Sequence, residues 1–171
     1  MNNKAKTAAF TGLCIALALV LAYVEVLLPP LFPAIPGVKM GLPNIVIVFL
    51  LYRRGGVTAA TVSLLRVVLV TLLFGNAMAF FYSLAGGALS LVLMLLLRRL
   101  DLLSPVGVSV AGGVAHNVGQ ILTAMLLLDT TELGYYLAVL IVSGVVAGVF
   151  VGLCGALLIK KVPEKLIHNG K

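Results

Sequence analysis

Charged residues are scarce in this chain. Only 10% of its 171 residues are Asp, Glu, Lys or Arg, and 62% are hydrophobic. An ordinary soluble domain has about 25% charged residues. Because a soluble protein this apolar could not cover its surface with polar groups, the composition predicts an integral membrane protein.

Other absences exclude whole classes of function. The two cysteines, Cys14 and Cys154, both lie in apolar segments, so the sequence has no disulfide framework, zinc-ligand spacing or iron–sulfur motif. The net charge of +7 comes without a basic stripe interleaved with aromatic residues, so no nucleic-acid partner is predicted. No phosphate-binding loop of the form GxxxxGK[ST] is present, so ATP-driven work would need other subunits.

What the chain does have is a series of apolar segments separated by short polar interruptions. They predict six helices in a single membrane domain spanning residues 1–171, at about 7–28, 43–52, 57–74, 77–97, 105–128 and 135–159. A helix that crosses a bilayer needs roughly 20 residues, which all but the second reach loosely. The fold class is therefore an all-α membrane protein, a six-helix bundle.

Positive charge is distributed unevenly between the two ends of this bundle. With six spans, ten Lys and Arg residues fall on one side and only Lys39 on the other: Lys4, Lys6, Arg53, Arg54, Arg98, Arg99, Lys160, Lys161, Lys165 and Lys171 form the larger group. Cytoplasmic loops carry the excess of positive charge. Both termini are therefore predicted to be cytoplasmic. The predicted location of the protein is the plasma membrane.

The second segment is too short to span. From Pro43 to Tyr52 it would be roughly 15 Å long, about half of a 30 Å hydrocarbon core. The preceding LFPAIPGVKMGL must then enter the outer leaflet as irregular backbone, which survives there only inside protein or beside a wet cavity. A helix N-terminus in such a cavity, with Asn44 in its first turn and Lys39 nearby, favours an anion.

Arg66 is the most costly residue in the sequence, because it falls near the middle of the third span. Insertion of such an arginine costs about 2.5–3.5 kcal/mol. It is predicted either to face a ligand or to pair with Glu25, an acid near the outer end of the first helix. Glu25 could instead pair with Lys39 or cap the outer surface.

The fifth segment carries a polar stripe at three- and four-residue spacing. Ser109, Gly112 and Gly113, His116, Gln120 and Thr123 share one face. His116 and Gln120 are predicted to line a pocket with Arg66, although interhelical hydrogen bonding would also explain Gln120. Asn117 lies about 100° away and is predicted to bond a neighbouring helix.

Two further sets of residues are candidates. Asn76 and Tyr82, in the turn FGNAMAFFYSLAGG, could reach the pocket from the outer side. Small residues four apart let helices approach closely. On the sixth helix Gly144, Gly148 and Gly152 form such a row, which internal packing would explain, and on the first helix Ala8, Gly12 and Ala16 form one that could dock a partner.

Three stretches, PGVKMGLPNIVIVFLLYRRG, LLRVVLVTLLFGNAMAFFYSLAGG and GVSVAGGVAHNVGQ, resemble the Gx transporter family, also labelled heptaprenyl diphosphate synthase component I. That family is similar to the substrate-binding S-components of energy-coupling factor (ECF) transporters. The resemblance implies six helices, an outward pocket, and docking of the Ala8 row on a transmembrane coupling subunit that carries two ATPases. It also suggests a flavin, quinone or prenyl ligand without fixing one.

Three functions follow from these observations. The first is a substrate-binding transport subunit for a small, anionic or phosphorylated, partly apolar molecule, with no intrinsic cofactor. The second, a prenyl diphosphate synthase, is disfavoured because such chemistry needs clustered carboxylates to hold Mg²⁺, and the chain has five acids with none paired inside the bundle. The third is a membrane partner in flavin- or quinone-linked extracellular electron transfer or in prenyl-quinone metabolism. The sequence therefore predicts a binding protein, not an enzyme, and leaves ligand identity, transport direction and oligomeric state open.

Overall fold

In the computed structural model the described parts of the chain, residues 3–28 and 40–163, are helical and contain no strand. Six α-helices follow in order: α1 Asn3–Leu27, α2 Asn44–Arg53, α3 Gly56–Phe74, α4 Ala77–Arg99, α5 Pro105–Leu127 and α6 Leu137–Lys161, with a short 3-10 helix at Glu132–Tyr136 before α6. All except α2 are long and apolar enough to cross a membrane. The described residues thus form the helical bundle of a multi-pass membrane protein.

The short helix α2 forms the centre of the bundle. Every residue from Val46 to Leu51 is buried, and α2 packs against α1, α3, α5 and α6. A helix that is apolar all round is stable only when other helices surround it. The unbroken apolar run in the sequence is explained by this central position, since none of these side chains needs to face lipid or water.

Glycine brings α5 and α6 into the closest contact of the bundle. A methyl group added to Gly113 would lie 2.5 Å from the carbonyl oxygen of Gly144, and one on Gly148 would lie 2.6 Å from Cα of Val110. Both distances are far below van der Waals contact, so only glycine fits at these positions. The predicted packing role of the α6 glycine row is confirmed.

Arginine side chains fasten the bundle at one end. Arg53, at the end of α2, donates to the carbonyl oxygens of Ile159 and Val162 at the end of α6. Arg98, near the end of α4, donates to the carbonyl oxygens of Leu51 and Tyr52. These carbonyls have no partner within their own helices, and the contacts place the C-terminal ends of α2, α4 and α6 together at one arginine-rich end.

Candidate functional site

An internal cavity of about 140 Å³ lies among the helices. All six contribute to its wall, which is a mixture of aliphatic and polar side chains. The polar members are Glu25, Asn44, Arg66, Thr71, Ser83, Ser90, Ser109, His116, Asn117 and Gln120. A cavity of about 150 Å³ can hold a benzene ring, so this one has room for a single ring-sized group.

Arg66 and Glu25 lie on the wall of the same cavity. Arg66 comes from α3 and Glu25 from α1, close enough for their charges to interact. Burial of one charge without the other would be costly, and the attraction reduces that cost. Nε of Arg66 is buried and has no hydrogen-bond partner among residues 3–28 and 40–163. The guanidinium is therefore neutralised in part but retains a donor for another group.

Glu25 also holds the chain that leads into α2. Its carboxylate accepts a hydrogen bond of 2.5 Å from the backbone N–H of Gly41. Gly41 has a φ of +71°, which favours glycine because a side chain would be strained there. This bond fixes the turn that precedes α2 against α1 and positions the helix start at the cavity.

The first turn of α2 faces the cavity through Pro43, Asn44 and Val48. Pro43 is the residue just before the helix, and the N–H of Asn44 donates to the carbonyl oxygen of Gly41 at 2.8 Å. No side chain caps this helix start within the described residues. The next two N–H groups, of Ile45 and Val46, donate to the carbonyl oxygens of Leu42 and Pro43. The positive end of the helix dipole lies beside the cavity, as the length of the segment predicts.

The polar stripe of α5 lies on the opposite wall. Ser109, Gly112, Gly113, His116 and Gln120 all line the cavity. Thr123 does not lie among the lining residues; its hydroxyl donates to the carbonyl oxygen of Gly119 in its own helix at 2.8 Å. The stripe therefore faces the cavity from Ser109 to Gln120, and its last member, Thr123, bonds within α5 instead.

Asn117 joins α5 to α6, as predicted. Its amide nitrogen donates to the carbonyl oxygen of Leu140 at 2.7 Å and to the hydroxyl oxygen of Ser143 at 3.2 Å. It also borders the cavity. With both donors engaged by α6, Asn117 presents its amide oxygen as the group that remains for other contacts.

Gly86 of α4 supports the two central residues of the stripe. A methyl group at this position would lie 2.7 Å from the carbonyl oxygen of His116 and 2.8 Å from Cγ of Gln120. Only a residue without a side chain lets α4 come this close to α5. Gly86 therefore sets how far His116 and Gln120 extend into the cavity.

Two of the predicted ligand contacts, Asn76 and Tyr82, lie away from the described cavity wall. Asn76 is exposed and caps α4: its Oδ1 accepts from the N–H of Ala79 at 2.8 Å. Because asparagine is a favoured N-cap, its polar side chain serves the helix start. Tyr82 is half-buried, and neither residue is among the described residues that line the cavity. Lys39 lies outside the described residues.

Helix α4 also contributes cavity residues that were not predicted from the sequence. Ser83, Ser90 and Met94 of α4 all line the cavity and follow one another at seven- and four-residue spacing, which places them on one helix face. Thr71 of α3 lies one residue from Val70, another lining residue. Two serines two turns apart in an apolar span would have indicated that α4 faces a polar interior.

The small-residue row of α1 points away from the bundle. Ala8, Gly12 and Ala16 are exposed, and a methyl group added to Gly12 would meet no atom within 4 Å. The other small-residue row, on α6, is fully used in packing. The α1 row is thus a smooth surface without a partner among the described residues.

Acidic, histidine and cysteine side chains do not gather into a cluster of three that could hold a metal ion anywhere in residues 3–28 and 40–163. Cys14 is buried and Cys154 half-buried, both as free thiols. The described site thus offers one cation, one carboxylate, an imidazole, amides and hydroxyls, which suit hydrogen bonding to a small molecule.

Comparison with known proteins gives one match. No curated protein and no solved structure matches the chain. Residues 14–158 match the family described as heptaprenyl diphosphate synthase component I. The match covers every helix from the middle of α1 to near the end of α6, including the whole wall of the cavity. This chain belongs to the heptaprenyl diphosphate synthase component I family, the Gx transporter family that its motifs resemble.

Proposed function

We propose that this protein is the substrate-binding membrane subunit of an uptake system, similar to an S-component of an ECF transporter. It binds a small molecule with an anionic or phosphorylated group and an apolar portion. The observation that supports this best is the polar cavity inside a bundle of apolar helices, with the buried Nε of Arg66 on its wall.

The energetic argument concerns the cost of the polar interior. An arginine in the middle of a span costs about 2.5–3.5 kcal/mol, and intramembrane ionisable residues mark substrate paths. Glu25 reduces the cost of Arg66, but purely apolar packing would have avoided both charges. The positive end of the α2 dipole, which lies at the cavity, adds a second feature that favours a negatively charged group.

The volume of the cavity restricts what can enter it. At about 140 Å³ it takes one ring-sized or phosphate-sized group, while pockets for complete drug-sized ligands are typically 300–1,000 Å³. We infer that the polar head of the ligand enters and that any longer apolar portion extends towards the aliphatic residues of the wall, such as Val26 and Val70.

This protein would lie in the plasma membrane with both termini in the cytoplasm. The energy for uptake would come from other subunits. The sequence has no phosphate-binding loop for ATP. The exposed face of Ala8, Gly12 and Ala16 would dock a transmembrane coupling subunit that carries two ATPases, because small residues allow close helix approach.

A second candidate function comes from the description of the family. Heptaprenyl diphosphate synthase component I names a membrane component of prenyl metabolism, and such a component would hold a prenyl, quinone or flavin compound without performing the chemistry.

Native mass spectrometry of the detergent-purified protein separates these functions. We expect a discrete small-molecule mass on the wild type and on Lys160→Ala, which removes an exposed cation outside the cavity wall, and its loss from Arg66→Ala. The variant should elute as the wild type does in size-exclusion chromatography. Equal retention of the small molecule by Arg66→Ala would show that Arg66 is not part of the site. A prenyl, quinone or flavin mass would support the second candidate function. No bound mass on any form would refute substrate binding.

A further inference from the structure

A second cleft lies on the outside of the bundle at its arginine-rich end. It runs between the start of α3 and the end of α4, and it encloses about 580 Å³. Its walls are Gly56, Val57, Ala60, Leu95, Arg98 and Arg99. Within the described parts of the chain this set shares no residue with the wall of the internal cavity. The cleft is therefore a separate feature, which substrate binding does not explain.

The two arginines of the cleft are held differently. Arg98 is fixed by its bonds to the carbonyl oxygens at the end of α2, and its guanidinium carbon lies 5.2 Å from the centre of the Tyr52 ring. Arg99 is exposed and has no hydrogen-bond or ion-pair partner among residues 3–28 and 40–163. One cation is thus rigid, and the other is available to a molecule outside the protein.

Apolar side chains continue from the arginines along the lipid-facing surface. Val57 is 84% exposed and Leu96 52% exposed. Asp101 is an exposed acid two residues beyond Arg99, while Arg53, Arg54, Lys160 and Lys161 lie on the helix ends at the same end of the bundle. The net charge around the cleft is positive, and exposed apolar side chains lie directly beside the charged ones.

We propose that this cleft binds one anionic phospholipid. Its phosphate would lie between Arg98 and Arg99, and an acyl chain would pack on Val57, Ala60 and Leu95 of the cleft wall. Basic pockets between transmembrane helices on the positively charged side of a membrane protein bind anionic headgroups. The cleft has the two properties that such a lipid requires, paired cations at headgroup level and an exposed aliphatic surface directly beside them.

Native mass spectrometry of the full chain, released from mixed micelles that contain equimolar phosphatidylglycerol and phosphatidylcholine, tests this proposal. We expect the wild type to retain one phosphatidylglycerol in preference to phosphatidylcholine. Arg99→Gln should lower that retention about fivefold, the contribution of one cation near an anionic lipid surface. Arg99→Lys should keep most of it. The control Lys161→Gln removes an exposed cation at the same end, on α6, and should change retention less than about twofold.

Three results would overturn the assignment. Equal retention of the two lipids by the wild type, or equal loss in Arg99→Gln and Lys161→Gln, would leave only a diffuse surface charge. Displacement of the lipid by glycerol 3-phosphate would assign the cleft to a free phosphate compound. Unchanged lipid retention in Arg99→Gln together with loss of a co-purifying protein would assign it to a protein partner.

Discussion

The contact between α5 and α6 gives a prediction about stability that can be worked out from the structure. In Gly148→Ala the new methyl group would lie 2.6 Å from Cα of Val110 and 2.9 Å from the carbonyl oxygen of Ser109. Both neighbours are backbone atoms, so the helices must move apart. Overpacking of this kind costs about 1–3 kcal/mol.

The same substitution at Gly12 provides a matched control. Gly12 is also within a long helix, but a methyl group there would meet nothing within 4 Å. Alanine stabilises a helix relative to glycine by about 0.5–1 kcal/mol, and both variants gain this term. The difference between them therefore isolates the steric cost, about 1–3 kcal/mol.

Thermal unfolding in detergent measures this difference. At roughly 2–4 °C per kcal/mol for a chain of this size, we expect Tm of Gly148→Ala to lie about 2–12 °C below that of Gly12→Ala. A thiol-reactive fluorophore is a suitable reporter in a Cys154→Ser background, because Cys154 is only half-buried while Cys14 is buried and becomes reactive on unfolding. Equal Tm values for the two variants would refute the claim that glycine is required for the α5–α6 contact.

Two other variants test the candidate site and the docking face. Gly86→Ala should push His116 and Gln120 out of position, because the added methyl group would lie within 3 Å of both; we expect about tenfold weaker retention of the co-purified ligand with size-exclusion behaviour unchanged, and unchanged retention would show that α4 does not position the stripe. Gly12→Trp should abolish co-purification with a coupling subunit while ligand retention stays at the wild-type level, since the exposed α1 row lies outside the cavity wall; co-purification at wild-type yield would exclude this face as the docking site.

Much of the architecture could be predicted because its signals are local. Each long helix is an apolar run that ends at charge, proline or glycine, and the structure places α5 at Pro105–Leu127 where the sequence predicts 105–128. The half-length of α2 follows from the distance between Pro43 and Arg53. Asn117 could be predicted to bond another helix because it is offset by 100° from the stripe on its own helix.

The candidate site was predicted less completely, because side chains from different helices meet only in three dimensions. Arg66, His116 and Gln120 were identified by the cost of a polar group in an apolar run, and they do line one cavity. Asn76 does not lie among the cavity residues that the structure describes, and its Oδ1 accepts from the N–H of Ala79 at the start of α4. Ser83 and Ser90 were not predicted, since the free-energy cost of a serine in a membrane span is too small to distinguish it from its apolar neighbours.

The sequence by itself determined that this is a membrane protein, how many helices its described residues form, and at which helix ends the positive charge lies. Each of these depends on hydrophobic length and charge along the chain. The tertiary structure alone decided which face of each helix turns inward. That choice depends on close contacts between distant residues, such as Gly86 with His116 and Gly113 with Gly144. Those contacts fix the rotation of α4, α5 and α6, and this rotation turns the α5 stripe towards the cavity that Arg66, Glu25 and the start of α2 also line.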